Sequence, residues 1–136
     1  MIRVLILIGV LTFYAGPYVG EPLRCGSIDG ASGIYDTTHD WIAVDIDALP
    51  GWRCNDLVRV TVGEDVMLLK VRDSGYLSRY CVYYGSTCVP IVADLPAHVF
   101  MWPGLSVQGV IENLTAGLRQ VGALDMWNEE KQEVGR

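Results

Sequence analysis

Charge is scarce in this sequence. Only 19% of its 136 residues are Asp, Glu, Lys or Arg, and the ten Lys and Arg form no cluster. At a formal net charge of −6 the chain gains nothing from counterion release on a phosphate backbone, which argues against a nucleic-acid partner. Anionic membrane surfaces are disfavoured on the same ground. Histidine is scarcer still, limited to His39 and His98, and no CxxC pair occurs. Neither histidine lies at ligand spacing from a cysteine, so no metal site is expected, and no cofactor is expected either. There is no internal repeat and no low-complexity tract, as fits one domain. The longest apolar stretch, residues 4–19, is broken by Gly16-Pro17, which leaves it short of the roughly 20 residues of a membrane-spanning helix.

What is present starts with a positive Met1-Ile2-Arg3 followed by VLILIGVLTFY and then Ala15-Gly16-Pro17. A basic start, an apolar run and small residues are the layout of a secretory signal peptide, with an uncleaved anchor as the alternative. Residues 1–20 are therefore expected to be a signal segment or anchor, residues 21–115 the domain, and residues 116–136 a helix or tail. The expected location is secreted, periplasmic or cell-surface. The residues before Cys25, Glu21-Pro22-Leu23-Arg24, lack the small side chains of a lipoprotein signal.

The four cysteines are Cys25, Cys54, Cys81 and Cys88. An even number in a short exported chain points to disulfides, and four cysteines allow three connectivities. Cys81 and Cys88 flank the loop VYYGST, which a bridge could close, and Cys25 would then pair with Cys54.

The chain between them reads as β-structure. Residues 41–47 alternate imperfectly, as in a strand. In DLVRVTV (residues 56–62) Val58, Val60 and Val62 share one face, with Arg59 and Thr61 on the other. Gly63-Glu64-Asp65 is a tight turn into a second strand over residues 66–72, making a hairpin that ends at Asp73-Ser74-Gly75. Residues 75–90 read as a loop and residues 91–93 as a short strand. Asp94 is placed to cap a short helix over residues 96–100. Residues 105–114 form a last strand. Alternation with one or two minor helices gives a mainly β fold, a small barrel rather than a sandwich.

The hairpin LVRVTVGEDVMLLKVRDSG, the segment IVADLPAHVF and the Gly-preceded closing strand over residues 103–114 resemble, in this order, the double-psi β-barrel of rare lipoprotein A, the expansins and the barwin-like proteins. Trp41-Ile42-Ala43-Val44 is similar to their first strand. The match covers a little over half the chain. It implies a six-stranded double-psi barrel acting on cell-wall polysaccharide, with peptidoglycan as the substrate. It also implies that Asp73, at the end of the second hairpin strand, is the general acid/base of a lytic transglycosylase. One carboxyl group can serve as acid and then base when the sugar's own hydroxyl is the nucleophile. The family's Arg-Gly-Pro after this Asp is Ser74-Gly75-Tyr76 here, its His after the first strand is Asp45, and its Ser after Asp-Leu is Pro96.

Each candidate residue carries a structural alternative. Asp73 could instead bond turn amides, and Asp94 could simply cap a helix. Asp36, Asp40, Asp45 and Asp47 form an acidic stretch that suits a solvated loop. Alternatively, Asp45 supplies a second carboxylate opposite Asp73, as a hydrolase pair requires. Tyr76, Tyr80, Tyr83 and Tyr84 are candidates to stack on sugar faces, with His39 and Asp94 as further substrate-binding residues. Trp52 and Trp102 read as core. The non-catalytic alternatives are an expansin-like or barwin-like carbohydrate-binding module and a structural exported protein.

Overall fold

The computed structural model describes residues 5–14, 18–27 and 32–122. Seven strands and one helix follow one another as β1 (Ile6–Tyr14), β2 (Trp41–Val44), β3 (Leu57–Val62), β4 (Asp65–Ser74), β5 (Cys81–Tyr84), β6 (Thr87–Pro96), β7 (Val107–Asn113) and α1 (Leu114–Gln120). The sheet order is β1-β7-β3-β4-β2-β6-β5, and a further β1–β6 pairing closes six of the strands into a barrel. Two of the pairings, β1–β6 and β2–β4, are parallel, and each carries a register shift. The other contacts around the barrel are antiparallel. Exchanging β1, β2, β3 for β4, β6, β7 reproduces the same neighbours, so the barrel consists of two interlocked three-strand halves.

Alternation builds the core. Val58, Val60 and Val62 of β3 turn inward, as the period of two requires. They meet Leu11, Ile42, Val44, Leu69, Val71, Leu95 and Ile111. Gly63, at φ 59°, opens the two-residue loop between β3 and β4, a position that tight hairpin loops give to glycine. A second, smaller cluster lies on the outside of the barrel, where Leu23, Tyr35, Trp41 and Ala43 pack with Tyr14. Here the segments 18–27 and 32–40 fold back over β2 and the end of β1. The expected disulfides both form. Cys25 pairs with Cys54 and Cys81 with Cys88, at Cα–Cα distances of 5.6 and 5.4 Å, within the usual range for a bridge.

Four expectations are corrected. The segment expected as a signal or anchor contributes β1, whose Val10 and Leu11 are fully buried, so the barrel begins at Ile6 and not at residue 21. Its apolar run is continuous because β1 has a neighbour on each side and is covered on both faces near its middle. Gly9 lies opposite Gly109 in the β1–β7 ladder, where a side chain would collide with Pro90 and Val92. Residues 81–90, expected as loop, form the β5–β6 hairpin, which lacks an inward apolar face to announce it. No helix forms over residues 96–100. Val99 and Phe100 instead both donate their N–H to the Pro96 carbonyl in a turn, and Asp94 sits within β6. Finally, the strand begun at Trp41 stops at Val44 and gives way to a 3-10 turn, Ile46–Ala48.

Past the last strand, Asn113 caps α1 by accepting from the Ala116 N–H at 2.8 Å. The tail expected from residue 116 is helical to Gln120, and residues 123–136 lie outside the described residues. Among the described residues no helix is long and apolar enough to cross a membrane.

Candidate functional site

Three strands bring two carboxylates onto one outer patch. Ala43 of β2 pairs with Asp73 on β4 and with Asp94 on β6. Residues in register on neighbouring strands share a face, so Asp73 and Asp94 flank Ala43 on the outside of the barrel. β1 completes the group, because Thr12 is in register with Asp94. The Thr12 hydroxyl donates to Asp94 Oδ1 at 3.2 Å, and the Tyr14 hydroxyl donates to Asp73 Oδ2 at 2.8 Å. The register shift between Ile42 and Ala43 is what turns Asp73 to this face; unbroken alternation from Val71 would have sent it inward.

The covering segment is pinned to the same place. The Arg24 N–H donates to Asp73 Oδ1 at 2.8 Å, and the Cys25 N–H donates to the Arg72 carbonyl at 3.1 Å. The Arg24 guanidinium grips Asp47 with two bonds of 2.7 and 2.9 Å and reaches Ser74 Oγ at 3.3 Å. Asp73 is thus a ligand for a loop amide, as its turn reading expected, while also facing Tyr14. Tyr14 stands in an aromatic wall, with ring centroids 5.3 Å from Trp41, 5.7 Å from Tyr18 and 6.0 Å from Tyr35. A cavity of about 30 Å³ beside Asp73 is lined by Tyr14, Tyr18, Glu21, Leu23 and Tyr35, which is room for about one water.

The two acids sit in different electrostatic settings. Burial pushes the Asp94 carboxyl up to about 6; the Asp73 charge adds to this, while the Thr12 hydrogen bond opposes it. Tyr14 stays a phenol well above its ordinary range, first through burial and then through the neighbouring Asp73 carboxylate. The group therefore holds a carboxyl that keeps its proton into mildly acidic solution, next to a carboxylate that accepts two hydrogen bonds.

Several sequence candidates go elsewhere. Asp45 is buried, but it faces Ser78, whose hydroxyl donates to it at 2.5 Å, in a separate cavity lined by the start of β1. It is not paired with Asp73 across the site. The His39 ring lies 3.0 Å from Asp36 and holds that carboxyl well below the usual range. His98 reaches back to the His39 carbonyl at 2.9 Å and to Asp40 at 3.4 Å, so the histidines tie residues 36–40 to the turn after β6. Tyr76, Tyr80 and Tyr83 are exposed at 62, 64 and 70%. Arg79 stacks over Tyr76, and Tyr84 approaches Ser106 Oγ at 3.3 Å. None of these tyrosines lines the Asp73 cavity. Trp52 is core, whereas Trp102 packs at the rim with its indole N–H on Asp65.

Sequence reasoning missed Thr12 and Tyr14 because both lie in the run taken for a leader. The signal that could have found them is the polar Thr12 two residues before Tyr14, an alternation that a leader does not require. No protein-family model matches this chain, and no curated protein sequence matches it.

Proposed function

We propose that this barrel is an exported protein that acts on cell-wall polysaccharide, peptidoglycan by preference, through the Asp73–Asp94–Tyr14 group. The observation that carries the reading is the pair of carboxyl groups on either side of Ala43, one of which holds its proton to about pH 6. Acid–base cleavage of a glycosidic bond needs a proton donor to the leaving oxygen and a second group that accepts a proton or stabilises positive charge. Two acids whose environments differ divide those roles. Asp94 is the proton donor, Asp73 the anionic partner, and Tyr14 holds Asp73 in place. This moves the acid from Asp73, where the family resemblance puts it, to Asp94. The two parallel pairings and the repeated half-barrel order support the double-psi description, and the two disulfides support an oxidising compartment.

A second reading, a carbohydrate-binding module without turnover, draws on the exposed Tyr76, Tyr80 and Tyr83, because aromatic faces can stack on sugars at low entropic cost. The test is muropeptide release from purified peptidoglycan alongside a pull-down on insoluble wall. Turnover by the native chain, lost in Asp94→Asn with wall binding retained, is the expected result. Wall binding without turnover by the native chain replaces the first reading with the second. Absence of both sinks the two together.

A further inference from the structure

A cavity of about 300 Å³ opens beside the first half of β1, lined by Leu7, Ala48, Leu49, Ile91 and Val92, with Asp45 and Ser78 as its polar wall. It exists because the barrel ladder is incomplete there. Asn113 N–H donates to the Leu5 carbonyl at 2.9 Å. In an antiparallel ladder the addressed side alternates, so Leu7 and Gly9 also turn their backbone groups to β7. Ile6 and Ile8 turn theirs the other way. On that side, among the described residues, the ladder to β6 starts only at Val10 opposite Ile91. Pro90, next along β6, has no N–H to offer Ile8, and no β1–β6 pair precedes Val10–Ile91. Among the described residues, the N–H and C=O of Ile6 and Ile8 thus form a short open strand edge along an apolar cleft. Ile6 and Ile8 are 52 and 74% exposed. Such an edge is a template for strand addition.

We propose that this cleft is a strand-addition site for an extended peptide that places an apolar side chain in the cavity and a basic side chain at Asp45. Spaced backbone donors and acceptors favour a peptide over a compact small molecule. Asp45, only 7% exposed at the cavity wall, selects a cation, as a pocket built on a fixed charge does. A net charge of −6 on the chain disfavours a second copy in the same place. The site lies at the opposite end of β1 from Tyr14 and is independent of the glycan reading.

The probe is a blocked Val-Lys-Val-Lys-Val peptide titrated into the full chain and followed by amide NMR. The expected result is shifts and slowed exchange at Ile6 and Ile8, with binding about tenfold weaker in Asp45→Asn from loss of a close charge pair. A Val-Glu-Val-Glu-Val peptide makes the same charge test with the protein unaltered and is expected to bind weakly or not at all. A version N-methylated at alternate residues should lose binding, because its ladder donors are blocked. Equal binding of the methylated or acidic peptide overturns the proposal. So does self-association of the chain through Ile6–Ile8, or an absence of shifts along β1.

Discussion

The replacement of Gly9 by alanine tests whether the N-terminal apolar run is a barrel strand. A Cβ at this position would stand 2.6 Å from the Pro90 carbonyl oxygen and 2.7 Å from Val92 Cγ1. The valine can change rotamer, but the carbonyl belongs to the β6 backbone and moves only if the strand moves. Forcing an extra carbon into packed structure costs about 1–3 kcal/mol. For a chain of this size each kcal/mol corresponds to about 3–5 °C in Tm, so Gly9→Ala should melt roughly 3–15 °C below the native chain. Gly117→Ala is the internal control. Its nearest neighbour would be Leu5 Cδ1 at 3.9 Å, and in α1 alanine should add about 0.5–1 kcal/mol. Melting is followed by circular dichroism, with intact mass confirming that residues 6–14 are retained. A leader has no reason to prefer glycine at position 9. If Gly9→Ala melts with the native chain, or is stabilised as Gly117→Ala is, then β1 is not part of the barrel and the reasoning fails.

Two further outcomes follow from the buried charges. The folded-state value of about 6 at Asp94 lies above its ordinary 3.8, so the folded chain holds a proton that the unfolded chain releases; stability should be highest below about pH 4 with respect to this group and fall as pH rises toward 6. Denaturant midpoints of Asp94→Asn should lose that slope, and an unchanged slope would remove Asp94 as its source. Asp56, 2% exposed, accepts from Arg119 at 2.7 Å through each oxygen and from Asn113 Nδ2 at 2.9 Å. Arg119→Met should cost about 3–5 kcal/mol by leaving a buried anion without its cation, and adding Asp56→Asn should restore part of the loss in the same denaturation assay.

The local pattern was strong enough to place some of this structure directly. Val58, Val60 and Val62 fixed the face of β3, Gly63 its turn, and the short VYYGST loop made Cys81–Cys88 one of the bridges to expect. These features depend on residues a few positions apart, where period and turn chemistry act without help from the rest of the chain. The β5–β6 hairpin escaped because its aromatic and polar side chains stay in solvent, leaving no inward face to read. The absence of a helix after Asp94 was equally hidden, since Pro96 and a capping residue are compatible with both a turn and a first helical turn.

The sequence by itself determined the β character, the expectation of disulfides and Asp73 as a residue of interest, while the structure selected Cys25–Cys54 and Cys81–Cys88 from the three possible connectivities. Only the tertiary structure decided that β1 closes the barrel. An apolar run has the same composition whether it enters a membrane, is cleaved away or is buried between two strands, and the difference lies in partners 81 to 106 residues distant, Ile91–Pro96 and Val107–Glu112. The tertiary structure also chose Asp94 over Asp45 as the companion of Asp73. That choice turns on a one-residue register shift between β2 and β4. A shift of one residue reverses the face of a side chain, and local sequence does not encode where two distant strands slip.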